Sequence, residues 1–450
     1  MVMLTVISLL AISCEDYLEV DLPDSQLTGA LVFQDDSTIE AALLDNYSKL
    51  RDATILTGSS SGLGVLGGLY TDELDLYSTS TGLDDFYTNS LIPTNTTIAA
   101  IWDNSYNIIY AANAIIEALN PDSSTSEEKR RIYGEALFQR ALVHFYLSEI
   151  YGEIPYIKDT DYRVNSSPPK QTKPEIYNFI VEDLEEAMTW IPEFYLSERR
   201  TRPSSLTVQA LLSRVHLYAG NYEEAINYSS ELISSSKLEL VETSNVFLND
   251  SKETIWQFSP GNSENNSIEA LTYVFSTAPP PNYALTPNLV ASFEAEDERF
   301  SNWIGSVADS TDIWYYAYKY KAVGSTSSPP EFSIVFRLAE QYLIRAEANF
   351  RSGNFDATQK DLNILRERAG LEPLEIQNSD NLKRALLKER RHELFTEFAH
   401  RWFDLRRLEE LDQTLNPFKP GWEETDRIFP IPENEILLNP NLSPQNPGYN

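Results

Sequence analysis

Two motifs in this chain have the residue types and spacing of known chemistry. Gly62, Gly64 and Gly67 have the G-x-G-x-x-G spacing of a loop that cradles a dinucleotide pyrophosphate. They follow a run of serines, whereas such a loop follows a strand, so we predict no dinucleotide site. His392 and Glu393 could begin the zinc-binding pattern H-E-x-x-H, but residue 396 is a threonine, so the second histidine is missing. His400 lies about 80° around a helix and roughly two turns away, so the two histidines could not share a metal.

Carboxylates are the remaining candidates for catalysis, since 68 of the 450 residues are Asp or Glu. At this abundance some pair must fall at the separation that glycosidases use, and the sequence singles out no pair. The simpler explanation of His392 and Glu393 is a helix with Glu and Arg on a packed face. We therefore predict no catalytic residue, no cofactor and no metal ligand, and we keep a glycoside hydrolase as the least favoured alternative.

Two segments outside the helical pattern are rich in aromatic and small polar residues, namely 57–97 and 259–333. Connections of this length are usually functional or disordered, and their aromatic content argues against disorder. A sugar ring presents a face of C–H bonds and an edge of hydroxyls, which Tyr, Trp and short carboxylates can bind. The predicted ligand-binding residues are Tyr70, Asp72, Tyr77, Asp84, Asp85, Phe86, Tyr87, Trp303, Trp314, Tyr315 and Tyr316. Trp102, at a helical position, is predicted to be core.

The elements that must position these segments are helices. Apolar residues recur every three or four positions between 134 and 151, and Gly152 supplies the stop. Two helix pairs, 207–234 and 338–368, turn at Gly220-Asn221 and Gly353-Asn354. This order is typical of tetratricopeptide-like hairpins. We predict a mostly α fold, in which such helix pairs form a scaffold with long aromatic-rich loop insertions and little β structure. One short strand is expected at 253–258.

Composition excludes several function classes. The formal net charge is −33, so nucleic acid would be repelled, and so would a membrane surface of anionic lipid. A single cysteine excludes an intrachain disulfide framework.

The first fourteen residues resemble an export signal. Residues 2–12 are apolar but far shorter than the roughly 20 residues that span a bilayer. The stretch from Leu10 to Cys14 looks like a lipobox, so we predict a lipoprotein signal peptide at 1–13 and lipid attachment at Cys14. The alternative is that Cys14 is an incidental odd cysteine.

The C-terminal residues carry a resemblance to a known family. Four blocks near the C-terminus are similar to a family signature, namely Glu389–Phe395, Arg401–Arg407, Phe429–Pro432 and Gln445–Tyr449. Together they resemble the SusD/RagB family, surface lipoproteins that capture nutrients for TonB-dependent outer-membrane transporters. The spacing from Trp102 to Asn113 resembles the family's W-x3-Y-x2-I-x2-A-N helix, and the resemblance extends over nearly the whole chain.

The resemblance implies a tetratricopeptide-like helical fold that docks as a lid on a SusC-like transporter. It implies a SusD-like domain over 14–450, with a helical scaffold part at about 14–255 and a C-terminal RagB/SusD part at about 256–450. The expected function is non-catalytic binding of a glycan nutrient and its delivery to that transporter, by a protein lipid-anchored to the outer membrane and facing the exterior. The alternative is a helical-repeat surface lipoprotein that binds peptide or protein. Ligand-contacting loops vary in the family, so no binding residue is transferred by motif.

Overall fold

The computed structural model describes residues 36–78, 82–121, 125–376 and 378–449. The predicted signal peptide and Cys14 lie outside these residues. The helices are α1 (Asp36–Ala53), α2 (Leu63–Tyr70), α3 (Asp84–Tyr87), α4 (Thr96–Leu119), α5 (Glu127–Tyr151), α6 (Tyr162–Asn165), α7 (Lys173–Trp190), α8 (Ser205–Ala219), α9 (Tyr222–Ser234), α10 (Ile268–Tyr273), α11 (Pro287–Ser292), α12 (Glu298–Trp303), α13 (Leu338–Arg351), α14 (Phe355–Arg368), α15 (Ser379–Leu394), α16 (His400–Arg407), α17 (Leu411–Leu415) and α18 (Glu433–Leu438). The strands are β1 (Leu74–Leu76), β2 (Thr254–Phe258), β3 (Tyr283–Leu285), β4 (Ile304–Ala308), β5 (Ile313–Ala317) and β6 (Ser333–Arg337).

Local sequence explains where the long helices begin and end. The Ser126 hydroxyl accepts the backbone N–H of Lys129 at the start of α5, where Glu127 and Glu128 also favour the helix dipole. The helix ends at Gly152, whose φ of 79° suits glycine. The helix predicted between 134 and 151 is therefore confirmed, and it extends further toward its N-terminus.

The two predicted helix corners are also confirmed. Gly220, with φ of 81°, separates α8 from α9, and Gly353, with φ of 78°, separates α13 from α14. Few residues other than glycine adopt this left-handed conformation without strain. Both hairpins are therefore specified by local sequence.

The helices form one continuous scaffold. Neighbours pack in the order α1, α4, α5, α7, α8, α9, α13, α14 and α15. A buried ion pair, Arg140 with Asp183, crosses the contact between α5 and α7. Another, Arg214 with Glu340, joins α8 to α13, which also pack together. Because α9 packs directly on α13, residues 235–337 form an insertion in the helical stack. The fold is thus mostly α with tetratricopeptide-like pairs, as predicted.

Two sheets lie within and beside this insertion. Strands β2 and β6 pair antiparallel, which joins the beginning of the insertion to its end. The second sheet has the order β1-β3-β5-β4, with all neighbours antiparallel. The expectation of a strand at 253–258 is confirmed. The segments interpreted as loops are more ordered than expected, because each contributes strands to the four-stranded sheet.

The main hydrophobic core runs through the described part, from Ile39 in α1 to Leu442 near the end of the chain, and a small second cluster joins Leu217 and Ala225 to Ile344 and Ala348. The predicted division near residue 255 falls inside β2, and the core is continuous across it. That division stays a prediction. Within the described ranges, none of the helices combines the length and apolar character that crossing a membrane requires.

Candidate ligand-binding face

The four-stranded sheet brings together the two aromatic-rich segments. The register sets Leu74 opposite Leu285 and Leu285 opposite Tyr315, so these three side chains share one face. Side chains alternate along a strand, so Asp75 and Trp314 lie on the other face. By the same alternation Tyr77, just after β1, and Tyr316 belong to that second face, which we call the aromatic face.

The aromatic face is open to solvent. The Tyr77 side chain is 42% exposed, and those of Trp314 and Tyr316 are partly exposed. The Tyr316 ring lies across Gly305 of β4, where an added Cβ would be 2.3 Å from the ring. Glycine at position 305 therefore allows Tyr316 to lie flat on the sheet.

The tyrosine hydroxyls on this face are hydrogen-bond donors at neutral pH. The Tyr87 hydroxyl, from α3, donates to Oδ1 of Asp75 over 3.1 Å. Burial, and then the negative charge of Asp75, raise the pKa of Tyr87 to about 12. Burial and the carboxylates of Asp75 and Asp312 likewise raise the pKa of Tyr77. The face thus combines aromatic surface with hydroxyl donors and a carboxylate acceptor.

A cavity of about 230 Å³ adjoins the face at Asp75 and Tyr87. Phe418, half exposed, and Lys419, buried, form part of its wall. The Lys419 ammonium donates to the carbonyls of Leu69 and Tyr87, and burial lowers its pKa to about 8. It lies 4.1 Å from the centroid of the Tyr87 ring, which fixes that ring from below.

Two predicted ligand-binding residues, Tyr70 and Phe86, are interior residues instead. The Tyr70 hydroxyl donates to the carbonyl of Asp426, and its ring packs edge-on against Trp402 and Phe429. Phe86 is fully buried against Phe429. These expectations are corrected, because neither ring has a face that a ligand could reach.

Asp72 is also buried, although it forms part of the cavity wall. Arg401 donates to both of its carboxylate oxygens, over 2.9 and 3.0 Å, and Arg391 lies 3.0 Å from Oδ2. Burial alone would raise the pKa of Asp72, but the two guanidinium groups hold it well below its usual range. Its carboxylate pairs with these arginines at the cavity wall, and its predicted role as a hydroxyl partner stays a prediction.

Trp303 is the largest departure from expectation. It is 1% exposed, and its indole N–H donates to the carbonyl of Thr243 over 2.7 Å. Phe247 packs edge-on against the ring. Trp303 is therefore a core residue, and the predicted ligand contact is corrected. Tyr315 is partly exposed, but it lies on the opposite face of the sheet and packs near Phe300.

The two predicted carboxylates of α3 are near the face but differ in availability. Asp84 is exposed at the start of α3. Asp85 is partly buried, and its Oδ2 accepts a hydrogen bond from Asn95 over 2.8 Å. Asp85 therefore helps to fix the start of α4. Contact of Asp84, Asp85, Tyr77, Tyr87, Trp314, Tyr315 and Tyr316 with a ligand stays a prediction.

The C-terminal signature forms buried ion pairs, as the packed-face interpretation of α15 expects. Glu393 lies within 3.3 Å of Arg299 and also pairs with Arg337 and Arg368. His392 stacks on Phe293 at 4.0 Å between ring centroids. Burial lowers the pKa of His392 well below its usual value, so the ring is neutral. Across the described ranges, no three His, Cys, Asp or Glu side chains are grouped to hold a metal ion.

The three glycines of the G-x-G-x-x-G pattern lie at a packing contact. Gly62 precedes α2, and Gly64 and Gly67 lie within it. An added Cβ on Gly67 would be 2.4 Å from Cβ of Ala399, and one on Gly64 would be 2.6 Å from the carbonyl of Thr396. These glycines allow α2 to approach the chain between α15 and α16.

Asp75, Phe418 and Lys419 were missed from sequence. The run Leu74-Asp75-Leu76-Tyr77 alternates apolar and polar residues, which is a strand signal that could have identified Asp75. Phe418 and Lys419 lie in a Pro-rich stretch far along the chain, and no local signal links them to β1.

The fold and the face define a class: a helical scaffold that presents an open aromatic face on a small sheet. Residues 17–217 match a family model described as "Starch-binding associating with outer membrane", and residues 301–449 match one described as "SusD family". The chain belongs to the SusD/RagB family.

Known proteins are similar over most of the chain. SusD-like protein P2 of Formosa agariphila is 26% identical over 422 residues, which covers 79% of this chain and 81% of that protein. A crystal structure of a SusD-like protein from Bacteroides fragilis has a TM-score of 0.79 at 21% identity and covers 93% of this chain and 98% of its own. A structure described as a laminarin-binding SusD-like protein has a TM-score of 0.77 at 23% identity, and the match covers 92% of this chain and 99% of that chain.

Proposed function

We propose that this protein binds a glycan nutrient on the aromatic face, without catalysis, and delivers it to a SusC-like TonB-dependent transporter. The observation that carries the proposal is the presence of Asp75, Tyr77, Trp314 and Tyr316 on one open face. Rings bind the C–H face of a sugar, and the carboxylate and hydroxyls bind its edge. The family description and the laminarin-binding relative support a carbohydrate as the ligand.

A binding role without turnover accords with the ionisable groups near the face. Hydrolysis of a glycoside needs a carboxylic acid that can protonate the leaving oxygen. Asp72 is held ionised by Arg391 and Arg401, so it is a poor proton donor. Burial raises the pKa of Glu73 to about 7, but this side chain is buried and does not line the cavity beside the face. Purified protein should therefore bind oligosaccharide and release no reducing ends; sustained release would count against the proposal.

The proposed location is the outer membrane, with the protein anchored by lipid at Cys14 and facing the exterior. The family description, which names association with the outer membrane, supports it. A SusC-like barrel should then copurify from outer membranes in mild detergent. Recovery of the protein alone, from cells that express a neighbouring transporter, would favour a free-standing surface binder.

The binding site is tested by alanine at Tyr77 and at Trp314. Each change should weaken binding to laminarin or starch oligosaccharides by about 1 to 3 kcal/mol, as expected for an aromatic anchor. Ile313→Ala is the matched control, because Ile313 is 58% exposed on the same strand but points to the opposite face. Isothermal titration would measure all three variants. Equal losses in the control and the two test variants would refute this site.

A peptide ligand is the alternative that the sheet itself allows. Strand β4 is an outer strand of the four-stranded sheet, so its free edge could pair with an extended chain. An unstructured peptide mixture belongs in the same titration series. Binding of peptide, with none of glucan, would replace the glycan proposal.

A further inference from the structure

A second cavity, of about 530 Å³, lies between α4, the 155–168 segment and α18. It shares no lining residue with the cavity beside the aromatic face. Small-molecule sites usually enclose about 300 to 1,000 Å³, so this cavity is of ligand size.

One face of α4 supplies the polar wall of the cavity. Asp103, Tyr106, Asn107 and Tyr110 follow the spacing of one helical face and line it together. Tyr110 is 57% exposed, and Asp103 and Asn107 are exposed as well. Within the described residues, neither the Asp103 nor the Asn107 side chain forms a hydrogen bond. Their polar groups are available to a ligand.

The opposite wall comes from α18 and the turn that follows it. Glu435 accepts the indole N–H of Trp102 on Oε2 over 3.1 Å, which leaves Oε1 without a hydrogen-bond partner in the described chain. Leu438, which is 76% exposed, adds apolar surface beside it. Two prolines, Pro155 and Pro168, extend that surface.

The charge of the cavity is one-sided. Of the described residues that line it, two are carboxylates, Asp103 and Glu435, and none is Lys, Arg or His. Burial raises the pKa of both groups, and the charge of Asp103 raises that of Glu435 further. A cation between them would relieve this repulsion, whereas an anionic ligand would increase it. The formal net charge of −33 also attracts cations to the protein as a whole.

We propose that this cavity binds an amino sugar, with the protonated amine between Asp103 and Glu435 and the C–H face of the ring against Tyr110. The Asn107 amide, which can both donate and accept, would bind ring hydroxyls. A lysine side chain offers the same ammonium but has no hydroxyls, so it would leave Asn107 without a partner. This site is independent of the aromatic face and does not rest on its proposed function.

A calorimetric titration of the full-length protein with methyl β-glucosaminide at neutral pH tests the proposal. Saturable binding is expected, and it should be at least about tenfold tighter than binding of the N-acetylated glycoside or methyl glucoside, which lack the charge. Equal binding of either neutral sugar would overturn the proposal. Equal binding of Nα-acetyl-lysine amide, which keeps its side-chain ammonium, would also overturn the proposal and would assign the cavity to peptide side chains.

Variants locate the site and separate it from the aromatic face. Asp103→Asn and Tyr110→Ala change exposed side chains and should each weaken glucosaminide binding about tenfold or more. Glu433→Gln is the matched control, because Glu433 is an exposed carboxylate on α18 outside the lining. Trp314→Ala should leave the difference in affinity between the glucosaminide and methyl glucoside unchanged, because the two cavities share no lining residue. Unaltered affinity in Asp103→Asn, or a loss in Glu433→Gln as large as in Asp103→Asn, would refute the assignment.

Discussion

Replacement of Trp303 by alanine separates a core tryptophan from a ligand-binding one. The indole is almost fully buried, and truncation of a buried Trp to Ala costs about 3 to 5 kcal/mol. The change also removes the hydrogen bond to the Thr243 carbonyl, which contributes about 1 kcal/mol. Lys319, whose ammonium lies 5.2 Å from the Trp303 ring centroid, loses its aromatic neighbour as well. Native proteins are stable by only about 5 to 15 kcal/mol, so Trp303→Ala should lose a large part of the stability.

Trp314→Ala is the comparison, because Trp314 is partly exposed on the aromatic face. Its stability should change by less than about 1 kcal/mol, while glycan affinity falls. Urea unfolding followed by circular dichroism measures the first quantity, and calorimetric titration measures the second. Trp303→Phe should give an intermediate loss of stability, since it keeps most of the ring volume. A wild-type unfolding midpoint for Trp303→Ala, together with lost binding, would refute the burial argument.

Three further outcomes are expected. Burial raises the pKa of Glu73 from 4.5 to about 7, so the folded state binds a proton on this carboxyl more tightly than the unfolded chain does. Stability should therefore fall as pH rises from 4.5 to 7. Glu73→Gln should flatten this decline when urea midpoints are measured across that pH range, and an unchanged slope would contradict the assignment. Gly67→Ala should destabilise the protein by about 1 to 3 kcal/mol, because its Cβ would meet Ala399 at 2.4 Å; a wild-type midpoint would show that the contact relaxes freely. Cys14→Ser should abolish labelling by fatty acid and shift the protein out of the detergent phase, and unchanged partitioning would exclude the anchor.

The helical scaffold could be predicted because its signals are local. Apolar spacing marks the helices at 134–151, 207–234 and 338–368, and glycine at 220 and 353 marks the two corners through a backbone conformation that few other residues adopt. The four-stranded sheet could not be predicted in the same way. Its strands β1 and β3 have three residues each, and their pairing joins segments far apart in the chain. Only tertiary contacts make such short strands stable.

The candidate site could be predicted by residue type but not by orientation. Trp303 and Trp314 both lie in a polar, aromatic-rich segment, so sequence gives them the same interpretation. In the structure, Trp303 ends α12 and turns into the core against Phe247, while Trp314 lies on an outward-facing position of β5. Which of two nearby tryptophans is buried depends on packing partners that the local sequence does not name.

The C-terminal signature supports the aromatic face from beneath through Asp72. Arg391 and Arg401 pair with its carboxylate, and Arg391 also donates to its backbone carbonyl over 2.7 Å. The Thr286 hydroxyl donates to that same carbonyl, which fixes the end of β3 beside the start of β1. Buried ion pairs add little net stability, because desolvation offsets their attraction, but loss of one partner is costly. Their contribution here is therefore positional: the signature arginines hold the two strands in register, so residues buried beneath the face determine where Asp75 and Tyr77 project.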